Sequence, residues 1–221
     1  STRLPELIVD PHVVIHAATE DLEINVEIFG ELARLCPPRT ILASNSSSFM
    51  PSKFAIATRR PDRVLVAHYF NPPYLIPLVE LVRSHATSDE TTDIMHSLLL
   101  DIGKKPTVVR REVPGFIGNR LQAALYREAL SLVQTGVASA QDVDAVIRYG
   151  FGRRLAAAGE FEIFDLAGLD TILNALGEIM PDLYSLPEPP QLLRDTVDRG
   201  DLGAKTGAGF YTWTPDTAAA A

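Results

Sequence analysis

Between His12 and Val109, short β-branched runs alternate with segments whose apolar residues recur at helical spacing. That alternation constrains the fold more than any other feature of the chain. His12-Val-Val-Ile-His16 reads as a strand. Asp21 to Leu35 reads as a helix, with Leu22, Val26, Phe29, Leu32 and Leu35 on one stripe and Pro37-Pro38 as its stop. Thr40 to Ser44 and Arg63 to Phe70 read as further strands, and Leu78 to Val82 as another apolar stretch. Thr87, with Glu90 three positions on, has the form of a capping box opening a helix that Gly103 closes, and Thr107-Val-Val109 makes a last strand. Strands separated by helices predict an α/β domain with a mostly parallel sheet covered on both faces.

After residue 112 the pattern changes. Phe116 to Gln134 is a long apolar-striped segment. Ser139 with Asp142 caps a helix to Tyr149, Glu160 to Met180 reads as one helix, and Gln191 to Arg199 as another. Gly209 to Trp213 is the only strand signal there, and the tail from Pro215 reads as frayed. The expected organisation is an α/β domain over 1–112 and an all-helical domain over 113–221. Three of these helices have apolar faces wider than one small domain covers, which predicts a homodimer built through the C-terminal helices.

Composition narrows the partners. A net charge of −8 disfavours nucleic acid as the main ligand. The single cysteine, Cys36, leaves no intramolecular disulfide and no metal cluster, so it is expected as a small buried hydrophobe and no metal is expected. No apolar run approaches a membrane span and no leader precedes the first strand, so no membrane partner is expected and the chain reads as cytoplasmic.

Three segments cluster unusual polar residues at strand ends. Ser44-Asn-Ser-Ser-Ser48 follows a strand directly. It is either an ordinary turn or a set of donors aimed at a ligand. His68-Tyr-Phe-Asn-Pro72 ends another strand, where open α/β sheets bind ligands, and Glu80 follows inside Leu78-Val-Glu-Leu-Val82. A carboxylate in such a run needs a partner, and His68 would be one, with its tautomer fixed by the pairing. The alternative is a surface histidine and an edge-strand glutamate that never meet. Pro114-Gly-Phe-Ile-Gly-Asn-Arg120 is a hinge and helix start, or the place where a polar Asn119 meets a ligand.

Taken in order, these segments resemble the 3-hydroxyacyl-CoA dehydrogenase family. The motifs are Ala43-Ser-Asn-Ser-Ser-Ser48, His68-Tyr-Phe-Asn-Pro72, Leu78-Val-Glu80, Pro114-Gly-Phe-Ile-Gly-Asn-Arg120 and Lys205-Thr-Gly-Ala-Gly-Phe-Tyr211. The resemblance implies part of a Rossmann-like NAD-binding domain followed by an all-α dimerisation domain. It implies NAD as cofactor, an acyl-CoA or hydroxy-acid substrate and a place in fatty acid metabolism. His68 would be the general base, Glu80 its orienting carboxylate, and Ser47 and Asn119 hydrogen-bond donors to the reacting region. Glu20, Ser47, Asn71 and Lys205 would contact the cofactor.

The departures are equally definite. The glycine-rich turn that opens the family's first strand–helix unit is absent, as is the acidic residue that reads the adenosine ribose, and the chain reads as a fragment that binds NAD weakly or not at all by itself. Asn25 stands where many members carry a lysine, and His16 where a glutamate is common. Gly159-Glu-Phe-Glu162 lacks the usual proline, and Arg153-Arg154 either receives an anionic substrate group or forms a solvated turn. Two other functions stay open: a dehydrogenase of a free hydroxy acid of the L-gulonate or carnitine type, and a catalytically silent dimerisation module.

Overall fold

The structure, a computed structural model, describes Leu4 and residues 8–219. The chain divides into two compact units, 1–121 and 122–221.

The first unit is built on a five-stranded sheet in the order β1 (Val13–His16), β2 (Ile41–Ser44), β3 (Val64–Tyr69), β4 (Leu78–Arg83) and β5 (Lys105–Val109). The β1–β2, β2–β3 and β4–β5 pairs are parallel, and β3–β4 is antiparallel. Because successive side chains point to opposite faces, each central strand feeds two cores. Leu42, Val64, Val66, Val82 and Val109 pack with Phe29, Leu32, Phe54 and Phe116 on one face. Ile41, Ala43, Leu65, Ala67, Val79 and Leu81 pack with Met95 and Leu99 on the other. The first face is covered by helix α1 (Leu22–Leu35) and the short α2 (Ser52–Ala55), the second by α3 (Asp89–Asp101).

Local chemistry sets the helix ends. Asp21 caps α1 by accepting from the Ile24 amide at 3.1 Å. Just past the other end Arg60 donates to the carbonyls of Cys36 and Pro37, tying down the chain as it leaves the helix. Cys36 itself is buried, as expected, and burial raises its thiol pKa. The cap of α3 is Ser88, which accepts from the Thr91 amide at 3.1 Å, and not Thr87. The Thr87 hydroxyl instead donates to Val64 O at 2.7 Å, tying the loop to β3.

The second unit is helical. Helix α4 (Gly118–Gln134) starts in the first unit and is followed by α5 (Ala140–Tyr149), α6 (Gly152–Leu155), α7 (Glu160–Ala167), α8 (Leu169–Ile179), α9 (Gln191–Asp198) and α10 (Pro215–Ala219). Ser139 and Asp142 form the predicted capping box. The helix expected over Glu160 to Met180 is two helices. Gly168 between them has φ +91°, a conformation only glycine adopts freely and no α-helix contains. Gly209 to Trp213 is no strand: only single bridges join Ala208 to Gly203 and to Thr212. Pro215–Ala219 is a short helix where a frayed tail was expected, and the last two alanines lie outside the described residues. Among the described residues of this unit, only Pro190 and Thr196 are buried. Among all the described residues, no helix is long and apolar enough to cross a membrane.

Candidate active site

The antiparallel register of β3 and β4 places His68 directly opposite Glu80. Cross-strand neighbours of this kind share one face of the sheet, so the spacing of the two residues follows from the turn that joins the strands. His68 Nδ1 and Glu80 Oε2 are 2.9 Å apart, with His68 4% and Glu80 1% exposed. Nδ1 carries the proton in this pair, because an ionised carboxylate only accepts. Nε2 makes no hydrogen bond among the described residues and is not enclosed, so it is the ring nitrogen available to a ligand.

The other carboxylate oxygen has its own task. Glu80 Oε1 accepts from the backbone amides of Ile117 at 2.9 Å and Gly118 at 3.0 Å, where the chain enters α4. Helix N-termini leave such amides unpaired and carry partial positive charge, so a buried carboxylate is well placed there. Burial pushes the Glu80 pKa up, but the hydrogen bond from His68 and the two amides more than offset it, and the net shift is downward. Glu80 is therefore an ionised group with both oxygens engaged.

Aromatic rings fix the imidazole plane. Phe70 lies at 4.8 Å and Phe116 at 5.5 Å between ring centroids. Phe116 is fully buried with φ +53°, an uncommon conformation for a bulky residue that turns the Pro114-Gly115-Phe116 segment back beneath the histidine. Gly118 makes room for Phe70: a Cβ there would lie 2.2 Å from the Phe70 ring. Phe70, Phe116 and the two amides were not singled out from the sequence. The glycines of Pro114–Arg120 were the only signal that backbone approaches something closely there.

The serine loop after β2 is ordered by side chains. Asn45 Oδ1 accepts from the Tyr69 amide at 2.9 Å, binding the loop to the end of β3. Glu20 accepts from the Ser47 amide at 2.7 Å and from the Ser46 and Ser48 hydroxyls, each at 2.9 Å. Asn119 donates its side-chain amide to Ser47 O at 3.1 Å. Thus five of the predicted site residues, His68, Glu80, Asn119, Ser47 and Glu20, meet in one hydrogen-bonded frame within the first unit. Ser46 and Asn45 were missed as its organisers.

Polar groups without partners show what the frame can hold. The Ser47 hydroxyl and the Asn71 side chain are exposed and make no hydrogen bond among the described residues. Both fit polar contacts to a bound nicotinamide or substrate, whereas Glu20 is already engaged. Asn25 is 2% exposed and donates to Thr19 O at 2.9 Å and Asp21 O, so it serves the turn before α1. His16 lies against Phe29, with both ring nitrogens enclosed and without partners; burial lowers its pKa, and Glu20 works against that. Lys205 belongs to the second unit, where it lines a cavity of about 690 Å³ with Tyr126, Val133, Phe210, Tyr211 and Trp213. Among the described residues, no cluster of His, Cys, Asp and Glu is placed to hold a metal.

The family model described as "3-hydroxyacyl-CoA dehydrogenase, NAD binding domain" matches residues 1–113, and that for the family's C-terminal domain matches residues 115–213. The chain belongs to the 3-hydroxyacyl-CoA dehydrogenase family. A 5-formyl-3-hydroxy-2-methylpyridine 4-carboxylate 5-dehydrogenase from Mesorhizobium japonicum is 30% identical over 92% of this chain and 66% of its own length. A crystal structure of an enzyme of that name, described as an NAD+ dependent dismutase, superposes with TM-score 0.96 at 29% identity, covering 100% of this chain and 71% of that one. A probable 3-hydroxybutyryl-CoA dehydrogenase from Bacillus subtilis is 38% identical over 93% of this chain and 70% of its own length. An L-carnitine dehydrogenase from Burkholderia mallei is 40% identical over 87% of this chain and 61% of its own length. The chain thus spans about two thirds of the length of the curated relatives it matches.

Proposed function

We propose that this chain carries the catalytic pair of an NAD-dependent dehydrogenase that oxidises the 3-hydroxyl of a 3-hydroxyacyl-CoA to the ketone. The observation that carries the reading is the buried His68–Glu80 pair at 2.9 Å, with one ring nitrogen left free. NAD, when bound, would supply the acceptor for the hydride that leaves C3. His68 Nε2 takes the hydroxyl proton as that happens and returns it in the reverse direction. Glu80 holds the imidazole through Nδ1 and stabilises the imidazolium that forms. The Ser47 hydroxyl and the remaining Asn119 amide hydrogen donate to the reacting oxygen, fixing C3 in place. Asn71 orients the nicotinamide amide. The domain division that goes with this reading is a nucleotide-binding part over 1–112 and a helical part over 113–221.

A second reading concerns the substrate. A relative named for L-carnitine is as similar as the one named for 3-hydroxybutyryl-CoA, at 40% against 38% identity, which favours a free hydroxy acid as the alternative. NAD reduction by the protein encoded by the native gene, measured with 3-hydroxybutyryl-CoA against L-carnitine and other free hydroxy acids, separates the two. Turnover confined to free acids sinks the thioester reading. His68→Ala is expected to lose about 10²- to 10⁴-fold in kcat; wild-type turnover in that variant sinks the catalytic assignment.

The second unit supports a homodimer. Phe161, Leu169 and Leu173 are 83%, 61% and 72% exposed, on helices with little else to cover them. A second copy would bury that surface through the same patch on both protomers. Sedimentation that finds only monomer at micromolar concentration rules this out.

A further inference from the structure

The geometry points to Glu20 as a positioning residue for the reaction, acting through the serine loop rather than as a contact to the cofactor; this rests on the reading of His68 and Glu80 as the catalytic pair. Glu20 stands on a fixed pedestal. The buried Asn25 amide clamps the carbonyls of Thr19 and Asp21, the residues on either side of it. Asp21 in turn caps α1. An exposed carboxylate so held is unusual, since most such groups sample many rotamers and contribute little.

What it holds is equally definite. Oε1 takes the Ser47 amide, and Oε2 takes the Ser46 and Ser48 hydroxyls. Ser46 Oγ also accepts from the Phe49 amide at 2.8 Å and the Ser48 amide at 3.3 Å, so the loop is folded around one buried hydroxyl that Glu20 orients. The carbonyl of Ser47 receives the Asn119 side chain. Asn119 lies one residue past Gly118, whose amide is held by Glu80. The frame therefore runs unbroken from Glu20 through Ser47, Asn119 and the start of α4 to Glu80 and His68. Removing Glu20 leaves three donors without their acceptor at the end of the frame nearest Ser47. Phe49 anchors the far end of the loop against the core, but Ser46 to Ser48 carry no apolar side chain of their own, and misplacement by about 1 Å near reacting atoms costs on the order of 10²-fold in rate.

The test uses the protein encoded by the native gene. For Glu20→Ala we expect kcat to fall about 10- to 100-fold with the NAD dissociation constant, measured by calorimetry, within about threefold of wild type. Glu20→Gln keeps one acceptor oxygen and is expected between the two. Ser48→Ala removes a hydroxyl that touches only Glu20, so it should lower kcat severalfold in the wild type and not further in the Glu20→Ala background. A Glu20→Ala protein with kcat intact at saturating NAD and a dissociation constant weakened more than about tenfold makes Glu20 a cofactor contact and overturns the inference, as does additivity with Ser48→Ala. If Glu20→Ala does not fold, the same comparison is made with Glu20→Gln. His68→Ala runs in parallel: if it keeps its turnover, the catalytic pair itself is wrong and the inference falls with it. If it is inactive, any failure belongs to Glu20 alone.

Discussion

The two units differ in how they are held together. In the first, two apolar clusters lie on opposite faces of one sheet, and Phe29, Phe54, Phe116, Leu42 and Leu65 are fully enclosed. In the second, the described residues are mostly helical, and only Pro190 and Thr196 among them are buried. The longer helices α4, α5 and α8 of the second unit have apolar stripes, yet a stripe stabilises only when something covers it. The first unit owns its core. The second supplies half of one, and that is the physical basis for proposing a partner copy.

Substitutions can break this comparison. The largest effect is expected in the first unit: Phe29→Ala removes a fully buried ring and should cost about 3–5 kcal/mol in denaturant unfolding. A loss under about 1 kcal/mol would mean the core is not what the burial implies. Next, Leu173→Asp on the exposed stripe of α8 should turn a dimer into a monomer in sedimentation equilibrium, while costing the first unit nothing. A dimer that survives this change places the interface elsewhere. Ser88→Ala should cost about 1 kcal/mol by freeing the Thr91 amide at the start of α3, and no change in unfolding midpoint would deny that cap its role.

The smallest and most informative effect is in pH. The Glu80 pKa is depressed in the folded state. The stability this contributes is fully present above the ordinary glutamate pKa of about 4.3 and is lost as pH falls through the lower folded value. Glu80→Gln should therefore have a flatter dependence of melting temperature on pH below about 5 than the wild type. Parallel curves would mean that the carboxylate is not held as the structure has it.

How much of this was legible in the sequence follows the same division. The strands of the first unit were readable because β-branched runs between turns have few other uses. Glu80 was conspicuous because a charge among Leu78, Val79, Leu81 and Val82 demands a partner. The turn of the chain that opposes it to His68 was not readable, because register depends on the eight residues from Phe70 to Pro77, and spacing alone does not fix their path. Thr87 reads as a helix cap because its hydroxyl can serve either role; the carbonyl of Val64, distant in sequence, decides between them. The second role of Glu80, at the amides of Ile117 and Gly118, left no trace in residue types, because backbone donors are the same everywhere. In the second unit, an apolar period of 3.6 ran through Gly168 without interruption, and the break came from backbone geometry that periodicity does not record.

Cys36 offers a gauge of the contrast between the units. It is the only cysteine of the chain, it is 6% exposed at the end of α1, and burial raises its thiol pKa. A thiol so placed reacts with an alkylating reagent only when its surroundings open. Because it sits in the first unit, its labelling rate reports the opening of that unit. A wild-type protein labelled slowly, and a Phe29→Ala variant labelled many times faster, would turn one sulfur atom into a meter for half the molecule.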